Sequence, residues 1–388
     1  MHCGQNSLTA LNQNDSATMP HTRHSNSSPN MKKSQRSHTR KIGLPPGTLL
    51  HVGETRVKHP ELTLFRYDAN NLQEKTTKEF SELNLQHSEN ETLWLNVHGL
   101  HDTALMTQIG QAFDLHPLVL EDILNTGQRP KLDSYDGYLF FVTRFFHYDK
   151  HGMEINSEQI SLILGHNFVL TFQERPTGSF DPIRERLRAN KGQLRKFGAD
   201  YLSYALLDII VDRYFVVLEQ VGDDCETLEE ELLRKPNAGV LQGIHKLKRE
   251  TMELRRAVWP LREVLNALIR NEGNFFQHST LLYLRDVYDH TVHFIESLES
   301  LRDLLAGMLD IYLSTISNRV NMEVRALTVV AMLFMPATLI AGIFGMNFKV
   351  MPLLQNPDGF WIAMGMMATI AIFMGLIFWR RQWLSRRA

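Results

Sequence analysis

The chain has 388 residues, of which 22% are charged and 43% hydrophobic, so it has room for roughly two or three domains but is too polar for a carrier with many spanning helices. Its 41 Lys and Arg residues nearly balance 43 Asp and Glu residues, and the net charge of −2 argues against a nucleic-acid-binding protein. The two cysteines, Cys3 and Cys225, lie far apart, which argues against a disulfide scaffold and a thiolate zinc site.

Residues 1–42 have the composition of a disordered basic tail. They are rich in Ser, Asn, Thr, Gln and His, show no apolar periodicity, and contain the single acid Asp15 against six Lys or Arg residues. The tail also lacks the apolar stretch of a signal peptide, so we expect it to lie in the cytosol.

Residues 43–197 are predicted to form a cytosolic α/β domain. Residues 116–123 read as a helix with Pro117 in its first turn. Four short runs are dense in β-branched and aromatic residues, which is typical of strands, and a Gly165-His166-Asn167 turn separates the last two. The four runs are residues 92–97, 138–142, 160–164 and 168–172.

From residue 198 onward the pattern is helical. Residues 198–278 predict two antiparallel cytosolic helices that Pro236-Asn237 separates. The next run, from about 279 to 344, contains no proline before Pro336 and would be about 95–100 Å long as one helix. Residues 326–344 carry no charge and match the thickness of a bilayer. We therefore predict a stalk helix over 279–325 that continues into a first transmembrane helix over 326–345.

A second uncharged stretch predicts a second transmembrane helix over residues 360–379, with tryptophans at both ends. Arginines follow it in the basic C-terminus, residues 380–388. By the positive-inside rule both ends of the chain are expected in the cytoplasm, and the outer loop, residues 346–359, faces outside. The sequence thus predicts a multi-pass protein of the cell (inner) membrane that contacts the lipid bilayer directly.

One face of the first transmembrane helix is smaller and more polar than the rest. Its residues recur mostly at steps of three or four, with Val324 and Gly345 on the same face. Close packing of helices through small residues would explain this pattern, and so would the lining of a pore. Two spans of one chain do not enclose an aqueous path, so a pore would need several subunits. We call this face the seam: Asn321, Leu327, Ala331, Met335, Thr338 and Gly342.

Asn347 lies just beyond the outer end of the seam, and its side chain suits a hydrated divalent cation. Mg²⁺ holds its water tightly, so a fast pore does better to bind the hydrated ion than to strip it. A ring of neutral amide oxygens accepts hydrogen bonds from those waters and releases the ion more readily than a ring of carboxylates does.

The surrounding residues resemble those of a known family. The segment from residue 335 to 352 reads MPATLIAGIFGMNFKVMP, and three cytosolic segments read HPLVLEDIL (116–124), QRPK (128–131) and RDVYDH (285–290). Together they resemble the signatures of the CorA family of magnesium and cobalt channels. The resemblance extends from about residue 42 to the C-terminus and leaves only the tail unexplained.

The resemblance implies a funnel-shaped homopentamer of an α+β membrane protein that passes Mg²⁺, together with Co²⁺ and Ni²⁺, and is not an enzyme. Gly345, Met346 and Asn347 would form the selectivity filter. The seam would line the path, with a hydrophobic constriction at Leu327 and Met335 that gates by dewetting. Transport would be passive and independent of ATP: the chain has no GxxxxGK[ST] motif, and the membrane potential drives uptake.

The same resemblance assigns a regulatory Mg²⁺ sensor to carboxylates between neighbouring cytosolic domains. Acids that face each other across a subunit boundary repel unless a cation bridges them, so high cytosolic Mg²⁺ would close the channel. The simpler interpretation is that these acids form a solvated acidic face of a helix. Asp208 and Asp212, at i and i+4, form only a like-charge pair. The sensor residues would be Asp122 and Asp286, with Glu121, Asp208, Asp212 and Asp289 nearby.

Other interpretations stay open at this point. The family often has acids just after the asparagine, whereas this chain has Lys349 and Leu353 there, and Asp358 is the only acid of the outer loop. A zinc-transporting member of the same superfamily is one alternative, and a tethered scaffold is another. A third is a membrane-anchored metal-dependent hydrolase that uses His116, Glu121 and Asp122.

The histidines are given no metal site. The pairs His98/His101 and His290/His293 stand at i and i+3 without a cysteine nearby. A zinc site needs three or four converging ligands, so these four are interpreted as structural or surface residues.

Overall fold

The computed structural model describes residues 43, 45–86, 88, 90–270, 274–347, 349, 351–353 and 356–381. The predicted basic tail, residues 1–42, and the end of the basic C-terminus, residues 382–388, lie outside the described residues, as does part of the outer loop.

Seven strands form one sheet in the N-terminal domain. The order across the sheet is β2-β1-β3-β7-β6-β5-β4, with β3 and β7 parallel and the other described neighbours antiparallel. Each strand predicted from the sequence lies within one of these. The strands are β1 (Glu61–Tyr67), β2 (Leu72–Thr77), β3 (Thr92–His98), β4 (Lys131–Tyr135), β5 (Tyr138–Asp149), β6 (Glu154–Gly165) and β7 (Phe168–Gln173).

Helices cover both faces of this sheet. All seven residues of β3 are buried, which is typical of a central strand covered on both sides. One face packs under α1 (Thr103–Ala112) and α2 (Pro117–Leu124), with Leu95 in that core. The other face, which includes Trp94, packs under α3 (Asp181–Arg188) and the long helices that follow. The expected α/β domain is therefore confirmed, as a three-layer structure.

Three long helices follow the sheet: α4 (Ala199–Arg234), α5 (Ala238–Ile269) and α6 (His278–Phe344). The Asn237 side chain caps α5 by accepting hydrogen bonds from the backbone of Gly239 and Val240. The start of α6 is tied to α4, because the buried Asp200 carboxylate accepts hydrogen bonds from Gln277 N at 3.0 Å and Thr280 Oγ1 at 2.6 Å.

Helix α6 has 67 residues and is therefore about 100 Å long. Its C-terminal part contacts α7 (Gly359–Arg380). The most apolar 18-residue windows of α6 and α7 have mean hydropathies of 2.2 and 2.1, and only 6% of each window is buried. Because so much apolar surface is exposed on one chain, these segments need lipid or other subunits around them. The predicted continuity between stalk and first span is present as a single helix.

The buried acid Glu158 lies on β6, near the end of β7, and is 3% exposed. One carboxylate oxygen accepts a hydrogen bond from Arg175 N at 3.0 Å. Burial, reinforced by the charge of Glu174, raises the pKa of Glu158 to about 7. The folded state therefore holds this proton more tightly than the unfolded state does, and stability falls as pH rises from about 4.5 to about 7.

We expect Glu158→Gln to raise the free energy of unfolding by roughly 1–3 kcal/mol at pH 8 and to change it little near pH 5, because the amide keeps the acceptor without the buried charge. Thermal unfolding of the full-length protein at the two pH values measures this effect. Glu79→Gln, at an exposed glutamate, is the control. An equal effect of Glu158→Gln at both pH values would contradict the assignment.

Candidate functional site: an exposed seam and a group of acids

The seam faces away from α7. Leu327 and Met335 are 70% and 68% exposed, and the other seam residues are exposed as well. The opposite face of the same segment, about half a helical turn away, is covered and faces α7. Its buried and partly buried residues are Val329, Leu333, Pro336, Ala337, Ile340 and Phe344. The second span of the same chain therefore leaves the whole seam free.

Two residues keep the outer half of the seam small and polar. The Thr338 hydroxyl donates a hydrogen bond to Phe334 O at 2.9 Å, so its oxygen presents lone pairs to the seam. At Gly342 an added Cβ would meet nothing within 4 Å, so the missing side chain leaves space along the helix. Asn321, about six turns of helix before Gly342, is exposed as well.

The Gly345-Met346-Asn347 segment ends the helix. Gly345 N donates to Ala341 O at 2.9 Å, and Met346 N donates to Ile343 O at 3.2 Å. Gly345 has φ −82°, so a positive φ is not the reason for glycine here; an added Cβ would instead lie 3.2 Å from Ala341 O. Asn347 is exposed at the end of this turn. Its amide is therefore accessible to a hydrated ion.

Asp122 of α2 is paired within its own chain. Its carboxylate accepts hydrogen bonds from Gln128 Nε2 at 2.5 Å and from Lys131 Nζ at 2.7 Å. Partial burial opposes the charged form of Lys131, but hydrogen bonds to Asp122 and Asp133 outweigh it and raise the lysine pKa. Sequence reasoning missed this cation, although Lys131 belongs to one of the family-like segments.

Glu121, the residue before Asp122, accepts a hydrogen bond from Gly47 N at 2.7 Å. His116 accepts a hydrogen bond from Leu118 N through Nδ1 and so acts as the N-cap of α2. This structural task differs from the metal-holding role that the hydrolase alternative gave it.

A second group of acids lies between α4 and α6. Ligand atoms of Asp208, Asp212 and His290 all lie within 4.8 Å of one another, and Asp286 Oδ2 is 3.9 Å from His290 Nε2. Burial, with the nearby charge of Asp212, raises the pKa of Asp208 to about 6. Asp289, which lies one turn after Asp286 on α6, is exposed. Carboxylate oxygens with an imidazole nitrogen are ligands that suit divalent cations.

Sequence reasoning grouped the four acids of these helices but assigned His290 a structural or surface role, and the structure brings it into their group. The spacing of Asp286 and His290, at i and i+4, was the available signal. Asp122 and Asp286 lie on opposite faces of the sheet, because α2 belongs to one core and α6 to the other. One chain therefore does not bring these two acids together.

Comparisons with known proteins agree with this architecture. The profile of the family described as "CorA-like Mg2+ transporter protein" matches residues 89–381. The chain is 46% identical over 345 residues to the cobalt/magnesium transport protein CorA of Thermotoga maritima, covering 89% of this chain and 98% of that protein.

Two solved structures share the fold at low sequence identity. The complete structure of the CorA magnesium transporter from Methanocaldococcus jannaschii superposes with a TM-score of 0.72 at 21% identity, covering 84% of this chain and 99% of that one. The structure of the full-length CmaX protein superposes with a TM-score of 0.67 at 20% identity, covering 85% and 100%.

Proposed function

The chain belongs to the family of CorA-like Mg²⁺ transporter proteins, and from that premise we propose that it is a passive channel for the uptake of Mg²⁺, with Co²⁺ and Ni²⁺ as further ions. It is a membrane protein of a transporter family rather than an enzyme family. The hydrolase alternative therefore loses its support, and His116 serves as a helix cap.

The observation that carries the proposal is the exposed seam of α6. Two spans do not enclose a path, and α7 covers only the opposite face of α6. The seam is small and polar in its outer half, where Thr338 and Gly342 lie. We infer that five copies place their seams around one axis to form a homopentameric channel, as the family resemblance implies.

The proposed path has a filter at its outer end and a constriction further in. Five Asn347 amides would accept hydrogen bonds from the waters of the entering ion, with Gly345 and Met346 holding the turn. Leu327 and Met335 would narrow the path, because apolar walls at small radius exclude the water that the ion carries. The inside-negative potential supplies roughly 4–5 kcal/mol per 100 mV for a doubly charged ion, so ATP is not required.

We propose that cytosolic Mg²⁺ closes the channel by binding between subunits. Asp122 of one subunit would share the ion with Asp286 of the next, supported by Glu121, Asp208, Asp212 and Asp289. The separation of Asp122 from Asp286 within one chain supports a site that needs a second copy. Lys131 then competes with the ion for Asp122, since its ammonium lies 2.7 Å from that carboxylate.

Lys131→Gln is expected to make the channel close at a lower internal Mg²⁺ concentration, by about fivefold, because the tethered ammonium no longer competes for Asp122. Flux into liposomes of defined internal Mg²⁺ measures this shift. Lys150→Gln removes a more exposed lysine–aspartate ion pair, with Asp223, away from Asp122, and is the control. An unchanged or higher Mg²⁺ requirement in Lys131→Gln would count against the competition.

We propose that both termini lie in the cytoplasm and that the outer loop faces outside the cell (inner) membrane. Arg380 and Arg381 follow the second span directly, and the charged α/β domain precedes the first. Lys349 in the outer loop would oppose cation capture, so replacing it with an acid is the direct probe of its effect.

Ion flux through the purified protein in liposomes tests the proposed function. Mg²⁺ uptake that follows the membrane potential without ATP supports a passive channel, and the absence of any divalent cation flux would overturn it. Parallel measurements with Co²⁺, Ni²⁺ and Zn²⁺ separate the proposal from the zinc alternative, which predicts Zn²⁺ transport in place of Mg²⁺.

A further inference from the structure

A cavity of about 260 Å³ lies in the cytosolic domain, where the segment 127–130 and strands β5 and β6 meet helix α5. It belongs to neither the seam nor the group of acids between α4 and α6. Its polar wall consists of Gln128, Arg129, Arg144, Ser157, Glu253 and Arg256.

The charged residues that line this cavity are mostly cationic. Three arginines line it against the single acid Glu253. Among the residues that the structure describes, none of the three arginines has a carboxylate oxygen within the 4.0 Å of an ion pair. The acid that acts most strongly on Arg144 is Glu174, whose own ion-pair partner is Arg56 at 3.3 Å. The arginines of the cavity therefore outnumber its acid and form no direct ion pair with a described carboxylate.

Arg144 is held so that its guanidinium faces the cavity. Nη1 donates to Gln128 O at 2.8 Å, and Nη2 donates to Ser157 Oγ at 3.0 Å. A guanidinium has five N–H donors in a planar fork, so these two bonds leave others available. Burial lowers the pKa of Arg144, although the charge of Glu174 acts in the opposite direction.

We propose that this cavity binds a small phosphate-bearing anion of the cytosol. Planar guanidinium groups match the oxygens of phosphate, with which they form paired charge-assisted hydrogen bonds. Arg144 and Ser157 form the floor of the site, and Arg129 and the exposed Arg256 close over the ligand from the loop and from α5. The cavity has room for a phosphate group but is too small to enclose a large ligand completely.

The cavity is linked to Asp122 through Gln128. The backbone of Gln128 accepts from Arg144, while its side chain donates to the Asp122 carboxylate at 2.5 Å. Gln159 closes the network by accepting from Gln128 N at 3.0 Å and donating to Asp122 O at 3.2 Å. An anion here offsets the positive charge near Asp122 and so favours a cation at that carboxylate. This link rests on the proposed sensor role of Asp122.

Binding is tested first, on the full-length protein and independently of transport, with inorganic phosphate as the probe and ³¹P NMR line broadening as the readout in Mg²⁺-free buffer. We expect Arg129→Gln and Arg256→Gln each to weaken phosphate binding about tenfold. Arg249→Gln, at an exposed arginine of the same helix outside the cavity, is the matched control and should bind as the unaltered protein does.

The outcomes of this test are distinct. Weakened binding in the two cavity variants with unchanged thermal unfolding supports the site, and Arg144→Lys should also bind less tightly because lysine lacks the planar fork. No broadening at millimolar phosphate, equal binding in all variants, or complete displacement by chloride at the same ionic strength would overturn it.

The link to Asp122 is tested by the internal Mg²⁺ concentration that halves the flux. Phosphate inside the liposomes, at fixed free Mg²⁺, should lower this concentration about threefold in the unaltered protein and leave it unchanged in Arg256→Gln. Phosphate binding without any shift would overturn the link alone, whereas the absence of flux would refute the proposed function and leave the binding result standing.

Discussion

Asn347→Ala is expected to reduce Mg²⁺ flux into liposomes roughly tenfold or more. The structure places Asn347 exposed, immediately after the turn that ends α6. In the proposed pentamer the substitution removes five amide oxygens from one ring, so the waters of an arriving ion lose their acceptors together. Selectivity should fall with the flux, because alanine offers nothing that distinguishes a hydrated divalent ion from a monovalent one.

The control for this variant is Asn356→Ala. Asn356 is also an exposed asparagine of the outer loop, and its recorded hydrogen bonds are made by the backbone. We expect it to conduct Mg²⁺ as the unaltered protein does. If Asn347→Ala conducts Mg²⁺ at the unaltered rate while the protein remains assembled, the proposed filter is wrong.

The double variant Asp122→Ala with Asp286→Ala is expected to lose inhibition by internal Mg²⁺. With both carboxylates removed, the ion no longer bridges neighbouring subunits, and the closed arrangement loses the ligand that stabilises it. Flux should then be nearly the same at zero and at millimolar internal Mg²⁺. Each single variant should show intermediate inhibition, because it keeps one of the two bridging carboxylates.

Asp310→Ala is the matched control, since Asp310 is an exposed acid on the same helix beyond the group at Asp208 and Asp212. It should keep normal inhibition. Inhibition that persists unchanged in the double variant would refute the sensor assignment, and the channel proposal would still stand on the flux itself. Comparison with Asn347→Ala therefore separates a failure of regulation from a failure of permeation.

The strands that could be predicted were those with dense β-branched and aromatic runs, such as β3 and β7. Strands β1, β2 and β4 were not singled out. In β1, five of seven residues are buried, so the alternation that marks a strand is absent; in β2, the sequence LQEKTT is polar because it forms the edge of the sheet. Helices α1 and α3 were also missed; in α3 only Ile183 and Leu187 of eight residues are buried.

In the candidate site, too, the sequence predicted some features and only the structure showed the others. The seam was visible as a spacing, but only the structure showed that α7 packs on the opposite face and leaves the seam exposed. Lys131 lies nine residues from Asp122 and reaches it through the pairing of β4 with β5, which no local pattern encodes. His290 joins Asp208 and Asp212 because α4 and α6 pack side by side.

The amino-acid sequence by itself determined that this protein has an α/β domain, a very long helix and two apolar spans, because helical period and uninterrupted hydrophobicity are local properties of the chain. Only the tertiary structure decided which side of α6 stays uncovered, which cation holds Asp122, and that three arginines gather around one cavity. Those outcomes depend on contacts between residues far apart in the chain, and long-range packing, not local preference, brings such residues together.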